Sequence, residues 1–266
     1  YACDFTDQEA LDKDFADWLE EFEITKDGCG ASATDLTGFS APELCVGGTV
    51  TVVYEATDGH SCGYSTTSIT RAYTLTIPEA VAVGGPENVD ASSCDYANET
   101  EFEEAYNTWL GAFEVTESGC GVLTPTKTIT GSVTLCKGGE VTVEFSAEDL
   151  CTSASITRSF KITAPAEVAV DGPENTTVDA CVFADQGTLD TEFAEWLAEF
   201  TVVESGCGVI TPTLNYFAPD LCEGGTVTVV YGVEDLCTTA EITRTFTLNP
   251  RPAVVVEQPE DFSAAA

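Results

Sequence analysis

The side chains of this 266-residue sequence that could do chemistry are twelve cysteines, one histidine and 46 carboxylates, against nine lysines and arginines. Cysteine sulfur has three common uses: zinc ligation, nucleophilic attack and disulfide formation. Zinc wants Cys and His ligands closely paired, and here no cysteine belongs to a CxxC pair and His60 stands alone. Their even number and regular spacing point to disulfides, and so to an oxidising space outside the cytosol. No cofactor is expected.

Aligning on cysteine exposes a threefold repeat. The first cysteine of each copy is Cys3, Cys94 or Cys181, and the second is Cys29, Cys120 or Cys207, always 26 residues later. The third is Cys45, Cys136 or Cys222, and the fourth is Cys62, Cys151 or Cys237. A period near 88 residues suits one small sandwich domain per copy. Three copies are expected at 1–77 (first strand missing), 78–164 and 165–250. Residues 251–266 read as the opening strand of a fourth, because Ala253-Val254-Val255-Val256-Glu257-Gln258-Pro259 repeats Glu167-Val168-Ala169-Val170-Asp171-Gly172-Pro173. Both ends thus read as cuts within an array, with targeting information outside the window.

The elements that must position the cysteines follow from periodicity. Glu167–Val170 and Thr176–Asp179 read as short strands around an Asp-Gly-Pro-Glu-Asn turn. A helix follows, its apolar stripe being Leu11, Phe15, Trp18, Leu19 and Phe22 in copy one. Copy two has Phe102, Tyr106, Trp109, Leu110 and Phe113, and copy three Leu189, Phe193, Trp196, Leu197 and Phe200. Those tryptophans lie within the stripe, which argues for core packing over sugar binding. Thr6 with Glu9, and Thr100 with Glu103, have capping-box spacing. Strands at Phe200–Val203 and Val209–Tyr216 come next. Then a Leu-Cys-x-Gly-Gly turn opens the strongest hairpin, Thr226–Tyr231 with Ile242–Leu248.

Gly-Gly-Thr-Val-Thr-Val-Val-Tyr, an acid-Cys loop and Ile-Thr-Arg-Thr-Phe-Thr-Leu resemble the C-terminal half of hyalin-repeat (HYR) domains. With four cysteines per copy and a helix between the first two, the chain resembles the HYR-like four-cysteine domains of large Bacteroidota surface proteins. The resemblance implies tandem immunoglobulin-like β-sandwiches, each here with one inserted amphipathic helix and two disulfides. It further implies a bacterial cell-surface location and adhesive or spacer roles.

Geometry narrows the disulfide pairing. Cys222 and Cys237 bracket a strand of about nine residues, ~30 Å long at ~3.3 Å per residue, whereas a disulfide tolerates at most ~7 Å between Cα atoms. Cys207 and Cys222 likewise bracket a strand. Within a copy this leaves first-to-third and second-to-fourth: Cys3–Cys45 with Cys29–Cys62, Cys94–Cys136 with Cys120–Cys151, and Cys181–Cys222 with Cys207–Cys237.

Catalysis should recur in every copy, and His60 has no counterpart in copies two and three, so no enzyme is expected. A net charge of −37 opposes nucleic acid as a partner, and no apolar run is long enough to span a membrane. The acids have one alternative use, a calcium ion. Glu87 with Asn88, and Glu174 with Asn175, lie in the linkers, while Asp58, Asp149 and Asp235 lie before the fourth cysteine. If that loop meets the preceding linker, Asp149 joins Glu87 and Asn88, and Asp235 joins Glu174 and Asn175, in an oxygen-rich site. Arg71, Arg158 and Arg244 are expected in ion pairs across the sheet. The function expected is a stalk or extender segment of a secreted surface adhesin or gliding-type protein, its ligand held by other domains. Its immediate partners are adjacent repeats. The alternative is a subunit of an extracellular filament, paired with other copies of itself. A calcium-stiffened or glycan-binding module comes third, weakened because Phe39 and Tyr216-Phe217 face Thr128 and Ile129 in copy two.

Overall fold

A computed structural model describes residues 1–26, 30–59, 65–120 and 124–258. Cys29, His60 and Cys62 lie outside them. In copy one a 3-10 turn at Ala2–Asp4 precedes helix α1 (Gln8–Glu20) and strands β1 (Ala31–Ala33), β2 (Gly48–Asp58) and β3 (Ser65–Leu75). Copy two has β4 (Ala82–Gly84), β5 (Val89–Ser92), a turn at Ser93–Asp95, α2 (Glu99–Gly111), β6 (Glu114–Glu117), β7 (Thr126–Thr134), β8 (Gly138–Glu148) and β9 (Ser153–Thr163). Copy three has β10 (Ala169–Asp171), β11 (Thr176–Asp179), a turn at Ala180–Val182, α3 (Gln186–Ala198), β12 (Thr201–Glu204), β13 (Gly225–Glu234) and β14 (Thr239–Asn249). The chain is mostly β.

The sheets repeat one plan. The expected hairpin is β2–β3 in copy one and β13–β14 in copy three, both antiparallel. In copy three β11 adds to β14 in parallel, giving the order β11-β14-β13, and in copy two the order is β5-β9-β8-β7. The opening strand pairs with the strand after the helix, β4 with β6 and β10 with β12. The segment predicted as a strand at Val209–Tyr216 makes only the bridge Ile210↔Glu234. Copy two carries the full strand β7 there, although Pro125 stands at the position of Pro212.

The chain forms two compact units. One comprises Tyr1–Val89, Glu104–Ser132 and Glu140–Phe160; the other comprises Asp90–Glu103, Val133–Gly139 and the chain from Lys161 onward. The division cuts through copy two instead of falling at the copy borders. In the second unit Leu189, Phe193 and Trp196 of α3 bury against Val229, Tyr231 and Val233 of β13 and Phe246 and Leu248 of β14. Alternation on β13 and the helical stripe thus meet face to face. In the first unit Leu11 packs with Ala2, Leu44, Leu75 and Cys120, and Trp109 lies edge-on to Phe113 and Phe160.

The helix caps differ from the expected boxes. Asp7 accepts from the Ala10 amide at 2.8 Å, Asn98 from Glu101 at 3.0 Å and Asp185 from Thr188 at 2.9 Å. The two predicted boxes, at Thr6 and Thr100, therefore miss by one or two residues, because Asp and Asn cap as well as Thr or better. The Leu-Cys-x-Gly-Gly turns do need glycine: Gly47, Gly138 and Gly224 have φ of 71°, 64° and 69°. A Cβ at Gly224 would sit 2.7 Å from the Leu248 carbonyl oxygen.

Candidate functional site

The first cysteine of each copy rides on its 3-10 turn and the third on the turn before the hairpin, and the two are brought side by side. In copy two the Ser93 hydroxyl donates to the Leu135 carbonyl, one residue before Cys94 and Cys136 respectively. In copy three the residues before Cys181 and Cys222, Ala180 and Leu221, share one core. The second and fourth cysteines are neighbours in the same way. The Leu150 amide donates to the Cys120 carbonyl at 2.9 Å, and Leu236 to Cys207 at 3.0 Å.

These pairs of neighbours bond between copies. In the first unit Cys3 is joined to Cys120 and Cys45 to Cys151, with Cα atoms 4.9 and 5.1 Å apart. In the second unit Cys94 is joined to Cys207 and Cys136 to Cys237, again at 4.9 and 5.1 Å. First and third cysteines of one copy therefore link to second and fourth of the next. The expected pairings Cys3–Cys45, Cys94–Cys136, Cys120–Cys151 and Cys207–Cys237 are corrected. The strand-length argument did separate Cys222 from Cys237, which flank the ten-residue β13. What failed was the premise that each copy closes on itself. Cys181 and Cys222 are free and exposed, not bonded to each other. The expected Cys29–Cys62 bridge lies outside the described residues.

An aspartate clamps the receiving side of each joint. The Asp235 carboxylate accepts from the amides of Cys237 (2.8 Å), Thr238 (2.5 Å) and Cys207 (3.1 Å) and from the Thr238 hydroxyl (3.2 Å). Asp149 does the same with Cys120, Cys151 (3.0 Å) and Thr152 (2.6 Å to the amide, 3.0 Å to the hydroxyl). One carboxylate thereby fixes both cysteines of its pair. Burial works to raise these pKa values, but the converging N–H and O–H donors outweigh it, and both are lowered. The threonine hydroxyls, which donate to the aspartates, also accept from the amides of Val81 (2.9 Å) and Val168 (3.0 Å), each one residue before its opening strand.

The calcium residues are not brought together as expected. Asp149 and Asp235 spend their oxygens on the joint, while Asn88 accepts from the Ser159 amide at 3.0 Å and Asn175 from Thr245 at 2.9 Å. The Glu87 and Glu174 carbonyls accept from the indole N–H of Trp109 (2.9 Å) and Trp196 (3.1 Å). Among the described residues no group of three or more His, Cys, Asp or Glu side chains could hold a metal ion.

The repeated arginine completes that linker clamp. Arg158 Nε donates to the Pro86 carbonyl at 2.8 Å and Arg244 Nε to Pro173 at 2.7 Å. A linker carbonyl is thus the partner found, where an acid across the sheet was expected. Each Pro-Glu-Asn linker is tied to its own copy by an arginine, a tryptophan and a strand amide. Trp109 and Trp196 are buried, as the stripe required. Of the aromatics weighed for glycan binding, Phe217 is 85% exposed while the Tyr216 hydroxyl accepts from the Val230 amide. No helix among the described residues is long and apolar enough to cross a membrane.

No protein-family model and no curated protein matches the sequence. Among solved structures the chain is similar to PcdhgB3 EC1-4 (10% identity, TM-score 0.37, 84% of this chain and 65% of that one). It is also similar to mouse clustered PcdhgC3 EC1-3 (9%, 0.32, 78% and 79%) and to the endo-fucoidan hydrolase MfFcnA4 from glycoside hydrolase family 107 (11%, 0.20, 84% and 37%). The chain spans just under two thirds of the first of these. Likeness at such TM-scores carries no argument about function.

Proposed function

We propose that this chain is a structural spacer segment of a secreted surface protein, built from HYR-like, immunoglobulin-like modules and carrying no catalytic centre. One observation carries the reading: successive copies are joined by two disulfides each, first and third cysteines to second and fourth. A spacer has to keep its joints from opening, and covalent bonds do that where a charge of −37 would drive neighbouring copies apart. Disulfides on this scale need an oxidising environment, so the protein works outside the cytosol. A bacterial surface adhesin or gliding-type protein is the carrier this organisation fits. The polar groups that recur between copies, Asp149 and Asp235, Arg158 and Arg244, bind backbone, which leaves them no role in turnover.

A second reading, a filament subunit, is favoured by the free, exposed Cys181 and Cys222. Electron microscopy of native protein separates the two: isolated molecules projecting from the cell favour the spacer, ordered polymers the filament. Alkylation of intact producing cells tests both. Finding Cys94, Cys120, Cys136 and Cys151 reduced in place would refute an extracellular disulfide-locked role.

A further inference from the structure

We infer that each joint is a thiol-operated relay with two closed states, one linking neighbouring copies and one locking each copy on itself, exchanged without net oxidation or reduction. At the joint between copies two and three the sulfurs pair as Cys94–Cys207 and Cys136–Cys237. The alternative partners are already neighbours. The Asp235 carboxylate accepts from the Cys207 and Cys237 amides alike, and the Leu236 amide donates to the Cys207 carbonyl at 3.0 Å. On the facing side the Ser93 hydroxyl donates to the Leu135 carbonyl, which sets Cys94 beside Cys136. Cys136 Sγ lies 3.9 Å from the Leu236 carbonyl oxygen, over the backbone that holds the other pair together. Re-pairing within copies thus asks the sulfurs to swing about their Cα–Cβ bonds. Asp235 can hold the receiving pair the same way in either state.

Exposure gives the relay its direction. Cys94 and Cys136 are exposed, whereas Cys207 is 7% exposed and Cys237 is half-buried. The joint between copies one and two repeats the asymmetry: Cys3 and Cys45 are exposed, Cys120 is buried and Cys151 half-buried. An incoming thiolate attacks the sulfur it can reach. It bonds to Cys136, breaks Cys136–Cys237 and releases the Cys237 thiolate. That thiolate attacks Cys207, forming Cys207–Cys237 and expelling Cys94. The Cys94 thiolate then attacks the mixed disulfide at Cys136, forming Cys94–Cys136 and returning the thiolate that began the cycle. Each S–S bond broken is matched by one formed, so electrons balance and the added thiol is a catalyst. The product is two self-closed copies with no covalent cross-link between them. A net charge of −37 favours that state when salt is low.

The test incubates the purified full chain with substoichiometric reduced glutathione at low and high salt, where the Debye length is about 30 Å and about 3 Å. Samples are quenched by acid or alkylation and read by thiol titration and non-reducing peptide mapping. The expected result is Cys94–Cys136 and Cys207–Cys237 in equal amounts, at least threefold more abundant at low salt, with the thiol count unchanged. Acid quenching should trap glutathione on Cys94 or Cys136. Peptides linked only between copies at both salts overturn the inference, as do glutathione trapped on Cys207 or Cys237 and a rising thiol count. C237S isolates one step, because it leaves the Cys136 thiol beside the Cys94–Cys207 bond. With no thiol added, that new thiol should divide between Cys136 and Cys207 as Cys94–Cys136 forms; a thiol that stays on Cys136 overturns the relay. These failures would leave the bonds between copies in place, so the spacer reading stands or falls separately.

Discussion

Replacing Cys136 and Cys237 together by serine removes one of the two bridges between copies two and three and leaves Cys94–Cys207 in place. In the chain-entropy model the cost depends on the shortest loop the lost bridge closed. That loop runs from Cys136 back to Cys94, through the sulfurs to Cys207, and on to Cys237, roughly 72 residues. A loop of that size is worth about 4.4 kcal/mol at 25 °C, against about 4.7 for a bridge spanning 100 residues with no companion. The second bridge is therefore nearly as valuable as the first, and the double variant should melt roughly 10–15 °C lower by calorimetry. Thiol titration of the denatured protein gives the sharper reading. With bridges between copies, the double serine variant exposes no new thiol, because both members of one bond are gone. Bonds closed within a copy, Cys94–Cys136 and Cys207–Cys237, would each lose one partner and release two. Two additional thiols, or a melting shift under about 2 °C, would refute the staggered joint.

Acid should loosen the joints. Asp149 and Asp235 have pKa values lowered by folding, so they bind fewer protons folded than unfolded. Their contribution is present above the unfolded carboxylate value near ~3.9 and is lost as pH falls through the lower folded value. Melting measured in acid should drop more steeply for wild type than for D235N, whose amide nitrogen faces the Cys207 N–H and costs on the order of 1–3 kcal/mol at neutral pH. An unchanged slope would count against the clamp. Trp196→Phe keeps a ring in the core but removes the donor to the Glu174 carbonyl. It should cost about 1–2 kcal/mol in a denaturant titration, with earlier amide exchange in residues 174–176. Melting in chelator should match melting in millimolar calcium, because N–H donors already fill Asp149 and Asp235; a rise of several degrees with calcium would overturn that.

Local patterns made much of this fold readable. The stripe from Leu189 to Phe200 and the alternation of Val227, Val229 and Tyr231 pointed to a helix and a strand whose apolar faces had to meet. Thr176–Asp179 was read to the residue, because a turn with proline and asparagine bounds it. The joint was not readable, for a physical reason. Distance along a strand rules partners out within one copy, yet it is silent about another copy whose cysteines have the same spacing. Residues adjacent in the fold, Cys94 with Cys136 and Cys120 with Cys151, present two sulfurs together, and four sulfurs in two pairs can bond within pairs or between them. The aspartate clamp did leave a signal that was misassigned: Asp149 and Asp235 each stand two residues before a cysteine and three before a threonine. That is the spacing of a side chain folding back on its own backbone amides, a simpler use of the carboxylate than a shared cation.

Under tension the staggered bonds give the molecule a short cut. Cys3 and Cys237 are far apart in sequence, but a pull between them travels across the Cys3–Cys120 bond, along the backbone to Cys136, and across the second bond to Cys237. Only about 17 residues bear that load, and they draw out to roughly 60 Å before covalent bonds are strained, where an unbridged chain would lengthen to roughly 800 Å. The helices and hairpins hang beside the loaded path as slack. A tether made this way has a hard stop to its stretch: cutting one sulfur link of a joint hands the load to its companion, and both must be broken before that joint runs out.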